Sequence, residues 1–278
     1  MYIYPFCTTE YTHFIMNFDL TKLLNDWAYE PGKIIVRLIN GDDKKQKIQI
    51  RLDLGILQMN IDDRPDAQQP HGYNSLLEYY EAKLDAIRRD EPFPDEDEEL
   101  PEELDEDQDQ PQVRDEALET SEADETADTP EAFSPKPQPD KPEEAELHDD
   151  EPIGEEAVQY YHRYVALLVL EDFDRVVRDT TRNLRLLDMC AQYAQTEEDQ
   201  NILEQFRPYI MMMRARALAS QALRDEEPKA ALLAIDEGIE MLRQFFTTHE
   251  KLELFDSSNE VQMLREMRDS LIPKLPVS

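Results

Sequence analysis

The chain has 278 residues, and its 64 Asp and Glu against 29 Lys and Arg give it a net charge of −35. This length allows one or two domains, and no basic stripe offers the grip on a phosphate backbone that direct nucleic-acid binding needs. The two cysteines make no disulfide framework, the longest apolar run is too short for a bilayer, and the N-terminus lacks a signal-peptide pattern. We therefore expect a cytoplasmic protein that binds neither nucleic acid directly nor membranes.

Residues 1–15 are aromatic and aperiodic, which predicts a loose N-terminal arm. The run MNFDLTKLLNDW, beginning at Met16, is the pattern of a natural start. Asp19 is a suitable N-cap for a short helix, since apolar residues follow on one helical face: Leu20, Leu23, Leu24 and Trp27. Pro31 and Gly32 then end this helix.

Three β-strands are predicted next. KIIVRLI at 33–39 is rich in β-branched residues, the turn signal Asn40-Gly41 follows, and residues 47–53 alternate strictly between apolar and polar. After Gly55 a third strand alternates in the same way. The pattern predicts an antiparallel meander with one apolar face, formed by residues such as Ile48, Ile50, Leu52, Leu57, Met59 and Ile61.

A helix should cover the apolar face of this meander, since an unpaired apolar face must be buried. Ser75 and Glu78 form an S-x-x-E capping box. Apolar residues follow at helical spacing: Leu76, Leu77, Tyr80, Leu84 and Ile87. Residues 16–90 therefore read as a small α+β domain.

Residues 91–154 are predicted to be a disordered, acidic and proline-rich linker. The stretch from Asp90 to Glu156 holds about 30 acidic residues against three basic ones. It cannot bury enough apolar surface to offset the entropy of ordering its backbone. We expect it to act as a self-repelling spacer that keeps the flanking blocks apart. Recruitment of a basic partner and mimicry of nucleic acid are the alternatives.

Residues 155–278 are predicted to be an all-α bundle. Gly154 to Leu170 forms the first helix, Asp172 caps the second, a third starts near Thr196, and Pro228 begins a fourth. Pro208 should kink or break the third helix, and Ser257 with Glu260 should cap a short last one. The run ALASQALRDEEPKAALLAIDEGIEML, at 217–242, resembles a tetratricopeptide-type hairpin, although no 34-residue period accompanies it.

Three runs together resemble a family. They are DWAYEPGKIIVRLI, IQIRLDLGILQMNIDDRPDAQQPHGYNSLLEYY and the C-terminal LREMRDSLIPKLPVS. They are similar to uncharacterised bacterial proteins that contain a UvrB/UvrC (UVR) motif. The resemblance implies a C-terminal UVR hairpin, with a run like E-x-A-A-x-L-R-D-x-I, that docks proteins. Here KAALLAIDEGI has the paired alanines but lacks L-R-D, so we expect that hairpin to be missing from this chain. A role as a DNA-repair accessory follows from the family label alone.

No nucleotide-binding, nucleophile-elbow or zinc-protease motif is present in the sequence, and the five histidines show no metal-ligand spacing. We therefore expect no cofactor, no metal and no catalytic set. One loop groups acid/base and aromatic side chains between a strand and a helix: Asp62, Asp63, Arg64, Asp66, His71 and Tyr73. It is either an acid/base or anion site, or a surface loop in which Arg64 pairs with a neighbouring Asp.

Met212 and Met213, in the run IMMMRARAL, are candidates for an adaptable groove that binds a partner helix. Core packing is the alternative, because consecutive residues on a helix point in different directions. The aromatic run YYHRY at 160–164 could stack on nucleic-acid bases, and packing between helices is the alternative. The preferred interpretation is a non-enzymatic cytoplasmic adaptor that binds protein partners mainly through its helical part. An enzyme using the loop Asp62–Tyr73 is the alternative class.

Overall fold

The computed structural model describes residues 19–93, 153–193 and 203–274. The predicted arm at 1–15 and most of the predicted linker lie outside these ranges. The first range contains helix α1 (Thr21–Asp26), strands β1 (Ile35–Asn40), β2 (Gln46–Arg51) and β3 (Ile56–Asn60), and helix α2 (Leu76–Arg89). The other two contain helices α3 (Ile153–Val169), α4 (Phe173–Tyr193), α5 (Arg207–Arg224), α6 (Pro228–Thr248) and α7 (Asn259–Leu271). A three-stranded sheet followed by helices agrees with the predicted order of elements.

The predicted antiparallel meander is confirmed, with strand order β1-β2-β3. Ile50 of the central strand pairs with Val36 on one side and Leu57 on the other. The polar side of β2 is buried as well, since Gln49 and Arg51 are each 7% exposed. Gln49 joins a hydrogen-bonded row across the sheet, accepting from Arg37 Nε at 2.8 Å and donating to Gln58 Oε1 at 2.7 Å. The central strand is therefore buried on both faces, of which only one is apolar.

The apolar face of the sheet is covered by helices from the C-terminal part of the chain. Ile48, Ile50 and Met59 belong to one continuous buried cluster with Tyr164 and Leu167 of α3, and α3 contacts β2. The capped helix α2, predicted to cover this face, instead has its buried residues in a second cluster with residues of α4, such as Leu186. Apolar periodicity shows that a face needs a partner but does not say which helix supplies it.

The two blocks flanking the predicted linker therefore share their cores. The expectation that a spacer keeps them apart is corrected: the chain before Phe93 and the chain after Ile153 contact each other directly. Each element of the first block is short and amphipathic, and a small sheet buries too little surface alone to be stable. The helical part supplies the missing surface.

Within the helical part, α5 and α6 form a close hairpin. A Cβ added to Gly238 of α6 would lie 2.4 Å from the Cβ of Ala215 in α5, so the small residues allow the approach. The tetratricopeptide likeness of this hairpin stays a prediction. Pro228 begins α6 as predicted. Pro208 lies in the first turn of α5, which begins at Arg207 after a 3-10 turn, in agreement with the predicted break at this proline. The predicted start at Thr196 lies outside the described residues.

The last helix is capped one residue later than predicted. Ser258, and not Ser257, is the N-cap of α7, and its hydroxyl accepts a hydrogen bond from the backbone N–H of Val261 at 3.3 Å. Across the described residues, no helix has the length and apolar character needed to cross a membrane.

Candidate functional site

The predicted loop lies at the junction between the two blocks. Asp62 accepts two hydrogen bonds from Arg175 of α4, at 2.9 and 3.0 Å, and one from Arg178 at 2.8 Å. The hydrogen bond from Arg175 is the main cause that holds the pKa of the Asp62 carboxyl down at about 2. Asp62 follows the end of β3 and binds α4 through these two arginines.

The next residues of the loop bind the helices through both backbone and side chain. Asp63 has a positive φ of 56°, and its carbonyl accepts a hydrogen bond from Arg163 Nη1 of α3 at 2.6 Å. Asp66 accepts from Gln159 of α3 at 2.8 Å. The strained backbone at Asp63 thus presents a carbonyl to a buried guanidinium.

Arg163 and Asp179 form the most buried ion pair of this junction. Both side chains are 1% exposed. The guanidinium donates to the two carboxylate oxygens at 2.7 and 2.9 Å in a bidentate arrangement. Its remaining nitrogen reaches the loop carbonyls of Asn60, Asp62 and Asp63. One α3 side chain therefore connects α4 to the end of the sheet, with the geometry that favours arginine over lysine.

A second buried cluster surrounds Glu156, whose side chain is 0% exposed. Its carboxylate accepts a hydrogen bond from the backbone N–H of Leu76 at 2.9 Å, at the first turn of α2. Arg64 lies 3.2 Å from the same oxygen and 3.3 Å from Asp66. The expected pairing of Arg64 with a neighbouring Asp is therefore present, but Arg64 is buried and not on the surface. Arg182 of α4 contacts the other oxygen of Glu156. Burial lowers the pKa of the Arg182 guanidinium, and the neighbouring Arg64 lowers it further.

His71 and Tyr73 contact α2 through their rings. The ring of His71 stacks on Tyr79 with centroids 4.2 Å apart, and Tyr73 meets Tyr79 edge to face at 5.6 Å. These contacts secure the loop against α2. The structure therefore divides the six predicted loop residues into an ionic set of four, which docks the helices, and an aromatic pair, which packs on α2.

The arginines that receive this loop form a stripe on α4 that the sequence analysis did not identify. Arg175, Arg178, Arg182 and Arg185 are spaced by three, four and three residues, which places them on one helical face. The three- and four-residue spacing of these arginines is visible in the sequence, so the expectation that the chain has no basic stripe is wrong. Each of these arginines contacts at least one carboxylate. Arg175 contacts Asp62 and Asp172, and Arg178 contacts Asp62 and Asp179. Arg182 contacts Glu156, and Arg185 contacts Glu81.

Two polar depressions adjoin the loop. One, of about 310 Å³, is lined by Lys45, Asp62 and Asp63 among others, and the other, of about 490 Å³, is lined by α4 arginines together with Glu78 and Asp179. Several of these charged side chains form ion pairs, such as Lys45 with Asp63 and Arg163 with Asp179. The described residues contain no group of three or more His, Cys, Asp or Glu that could hold a metal ion.

The predicted methionine groove is not present in the structure. Met212 and Met213 are each 2% exposed and belong to the central cluster of the helical part. Both side chains fill core space on α5, in accordance with the alternative that the sequence left open. Tyr160 and Tyr164 of the YYHRY run are likewise buried, at 6% and 1% exposure.

An apolar groove does exist at another place. It has a volume of about 510 Å³ and lies between α3, the end of α4, the start of α5 and the start of α7. Its walls are mainly apolar or aromatic, and three of these side chains remain accessible, with exposed fractions of 50% for Val158, 39% for Tyr161 and 52% for Phe206. The sequence placed Val158 and Tyr161 on the inward stripe of α3, so only tertiary packing shows that this end of the stripe is uncovered.

Polar side chains are the minority of the groove's lining, and they include Asn183, Gln205, His162 and Glu260. Glu260, in the first turn of α7, is half-buried and accepts a hydrogen bond from the Ser258 hydroxyl at 2.7 Å. His162 lies beside Tyr161, and burial lowers the pKa of its imidazole. A concave, mostly apolar surface with a few convergent polar groups is typical of a binding site.

Comparison of the chain with protein-family models, with curated proteins and with solved structures finds no match.

Proposed function

We propose that this chain is a non-enzymatic cytoplasmic adaptor that binds a short amphipathic segment of another protein in the groove between α3, α5 and α7. The observation that carries the proposal is the exposure of Val158, Tyr161 and Phe206 around a concavity of about 510 Å³. Grooves between helices receive the apolar face of a partner helix through residues spaced by three, four and seven positions. Exposed apolar side chains that surround a concavity mark such sites.

The occupant should carry basic residues among or beside its apolar anchors. The whole chain has a net charge of −35, which attracts a basic segment and raises its rate of encounter. Within the groove, Glu260 forms no ion pair with any described residue. A second copy of this chain would add negative charge to negative charge, so another protein is the better match.

The resemblance to UVR-motif proteins and the tetratricopeptide likeness of the α5–α6 hairpin are compatible with this proposal, since both motifs bind proteins. They remain predictions from the sequence. The acid/base use of Asp62–Tyr73 is not proposed, because the ionic members of that loop connect the sheet to α3 and α4.

The proposal is tested by selecting displayed random 16-residue peptides against the full chain and then measuring each selected peptide on the wild type and on the variant Val158→Asp. The selected peptides should be amphipathic with Lys or Arg. Their affinity, measured by calorimetry, should fall by about tenfold or more with Val158→Asp, as expected for an anchor contact worth over 1 kcal/mol. Leu233→Asp is the matched control, since Leu233 is 59% exposed on α6 and lies outside the groove.

Peptides that bind wild type and Val158→Asp equally would overturn the assignment of the groove. Sedimentation equilibrium provides the second arm of the test. A dimer that Val158→Asp converts to a monomer would show that a second copy occupies the groove, and the proposed heterologous partner would then be wrong.

A further inference from the structure

One end of the groove has the composition of a cation site. The Tyr161 ring meets Tyr164 edge to face, with centroids 5.5 Å apart at 88°, and lies 6.0 Å from the Tyr209 ring at 53°. These rings belong to α3 and α5, and all three line the same groove. Their faces carry the negative part of the aromatic quadrupole, which attracts cations.

Glu260 adds a full negative charge to this end. It lines the same concavity from α7. The pKa of the Tyr209 hydroxyl is raised by burial and by Tyr161, lowered by Arg216, and raised to a smaller extent by Glu260. The carboxylate is half-buried, and its one polar contact in the described chain is the Ser258 hydroxyl. A partly desolvated carboxylate without a counter-ion is stabilised by any cation that fits beside it.

Two basic residues lie near this end of the groove, and neither places a positive charge in its described lining. His162 is next to Tyr161, and burial favours its neutral form. Arg216, two turns beyond Tyr209 on α5, contacts Met213 and does not line the groove. The described lining therefore combines aromatic faces with one carboxylate and contains no lysine or arginine.

We propose that the end of the groove formed by Tyr161, Tyr209 and Glu260 binds an alkylammonium group, such as the side chain of a lysine in the partner segment. The apolar remainder of the groove receives the hydrocarbon stem and the neighbouring anchors. This inference rests on the adaptor function proposed above and names the chemistry by which the partner is recognised.

The test uses choline and its uncharged isostere 3,3-dimethylbutan-1-ol as probes, on the full chain labelled with ¹³C in its tyrosine rings. Choline should shift the Tyr161 and Tyr209 ring signals and should bind roughly three- to thirty-fold more tightly than the isostere, the range expected for a cation–π contact. Glu260→Gln should weaken choline binding at least threefold and leave the isostere unchanged. Glu253→Gln, an exposed residue outside the groove, is the matched control and should change neither.

The thermal midpoint of Glu260→Gln establishes that the variant is folded, and Tyr161→Leu serves as a second variant that should weaken choline through loss of its ring. Equal binding of the two probes, or no effect of Glu260→Gln on choline, overturns the cation site while leaving the apolar groove and the adaptor function intact. A third outcome is that choline binds more tightly than the isostere but no selected peptide loses affinity with Val158→Asp. This outcome supports the cation site and overturns the adaptor function.

Discussion

The buried pair of Arg163 and Asp179 offers the sharpest test of the junction between sheet and helices. Both side chains are 1% exposed, and two hydrogen bonds of 2.7 and 2.9 Å join them. Replacing Asp179 with Ala leaves the Arg163 guanidinium buried beside the loop carbonyls and the Tyr160 ring. Removing one member of a buried pair costs about 3–5 kcal/mol, since the other charge is left uncompensated.

Equilibrium unfolding in urea, followed by circular dichroism, measures this cost. With a denaturant slope of about 2–3 kcal/mol per M, the loss should lower the midpoint by about 1–2 M. Glu30→Ala is the control, because Glu30 and its partner Lys33 are more than half exposed and such pairs contribute at most about 1 kcal/mol. The double variant Arg163→Met/Asp179→Leu should be less destabilised than Asp179→Ala, since it removes both charges of this pair.

An Asp179→Ala variant that loses less than about 1 kcal/mol would refute this reasoning. It would mean that Arg163 finds water when its partner is removed, so that the junction is open in solution. A double variant as unstable as the single one would show instead that the cost arises from packing and not from the stranded charge.

Three further predictions concern the same architecture. Cleavage by a Glu-specific protease within residues 94–152 should leave two fragments that co-elute in size-exclusion chromatography until denaturant is added, and separate elution without denaturant would contradict the shared core. Asp62→Asn should destabilise the chain at neutral pH. The difference in unfolding free energy between this variant and the wild type should shrink as pH falls from about 4 towards 2. The pKa of Asp62 is lower in the folded than in the unfolded chain, so its stabilising effect is lost as the carboxyl protonates. A free-energy difference that stays constant with pH in paired urea melts would disprove the ion pairs. Gly238→Ala should destabilise the chain by about 1–3 kcal/mol although alanine favours helix more than glycine, since the new Cβ would lie 2.4 Å from the Cβ of Ala215. The control Gly154→Ala meets only ordinary contacts and should be neutral or stabilising in thermal melts.

The sequence alone determined the local structure of this protein, since local structure depends on short-range patterns. Strict alternation at 47–53 specified the meander, the Ser75–Glu78 pair specified the start of α2, and Pro228 specified the start of α6. These signals lie within a few residues of the structure they specify, so their physics is complete in the sequence.

Signals in the sequence also pointed to part of the site, although with the wrong emphasis. The loop from Asp62 to Tyr73 is indeed where charged side chains meet, but their partners lie about 100 residues further along the chain. The arginine spacing on α4 was visible, yet an arginine stripe can face water, nucleic acid or carboxylates. Which of these it meets depends on distant residues such as Glu81 and Glu156.

The tertiary structure alone decided which helices cover the sheet and which apolar residues stay exposed. An apolar stripe must be buried against some partner, and neither α2 nor α3 carries a local mark that distinguishes the two choices. Met212 became core, whereas Val158 and Phe206 became the walls of a groove, because burial depends on where neighbouring helices end. Long-range packing is a property of the whole set of contacts, so a local pattern can require a partner without identifying it.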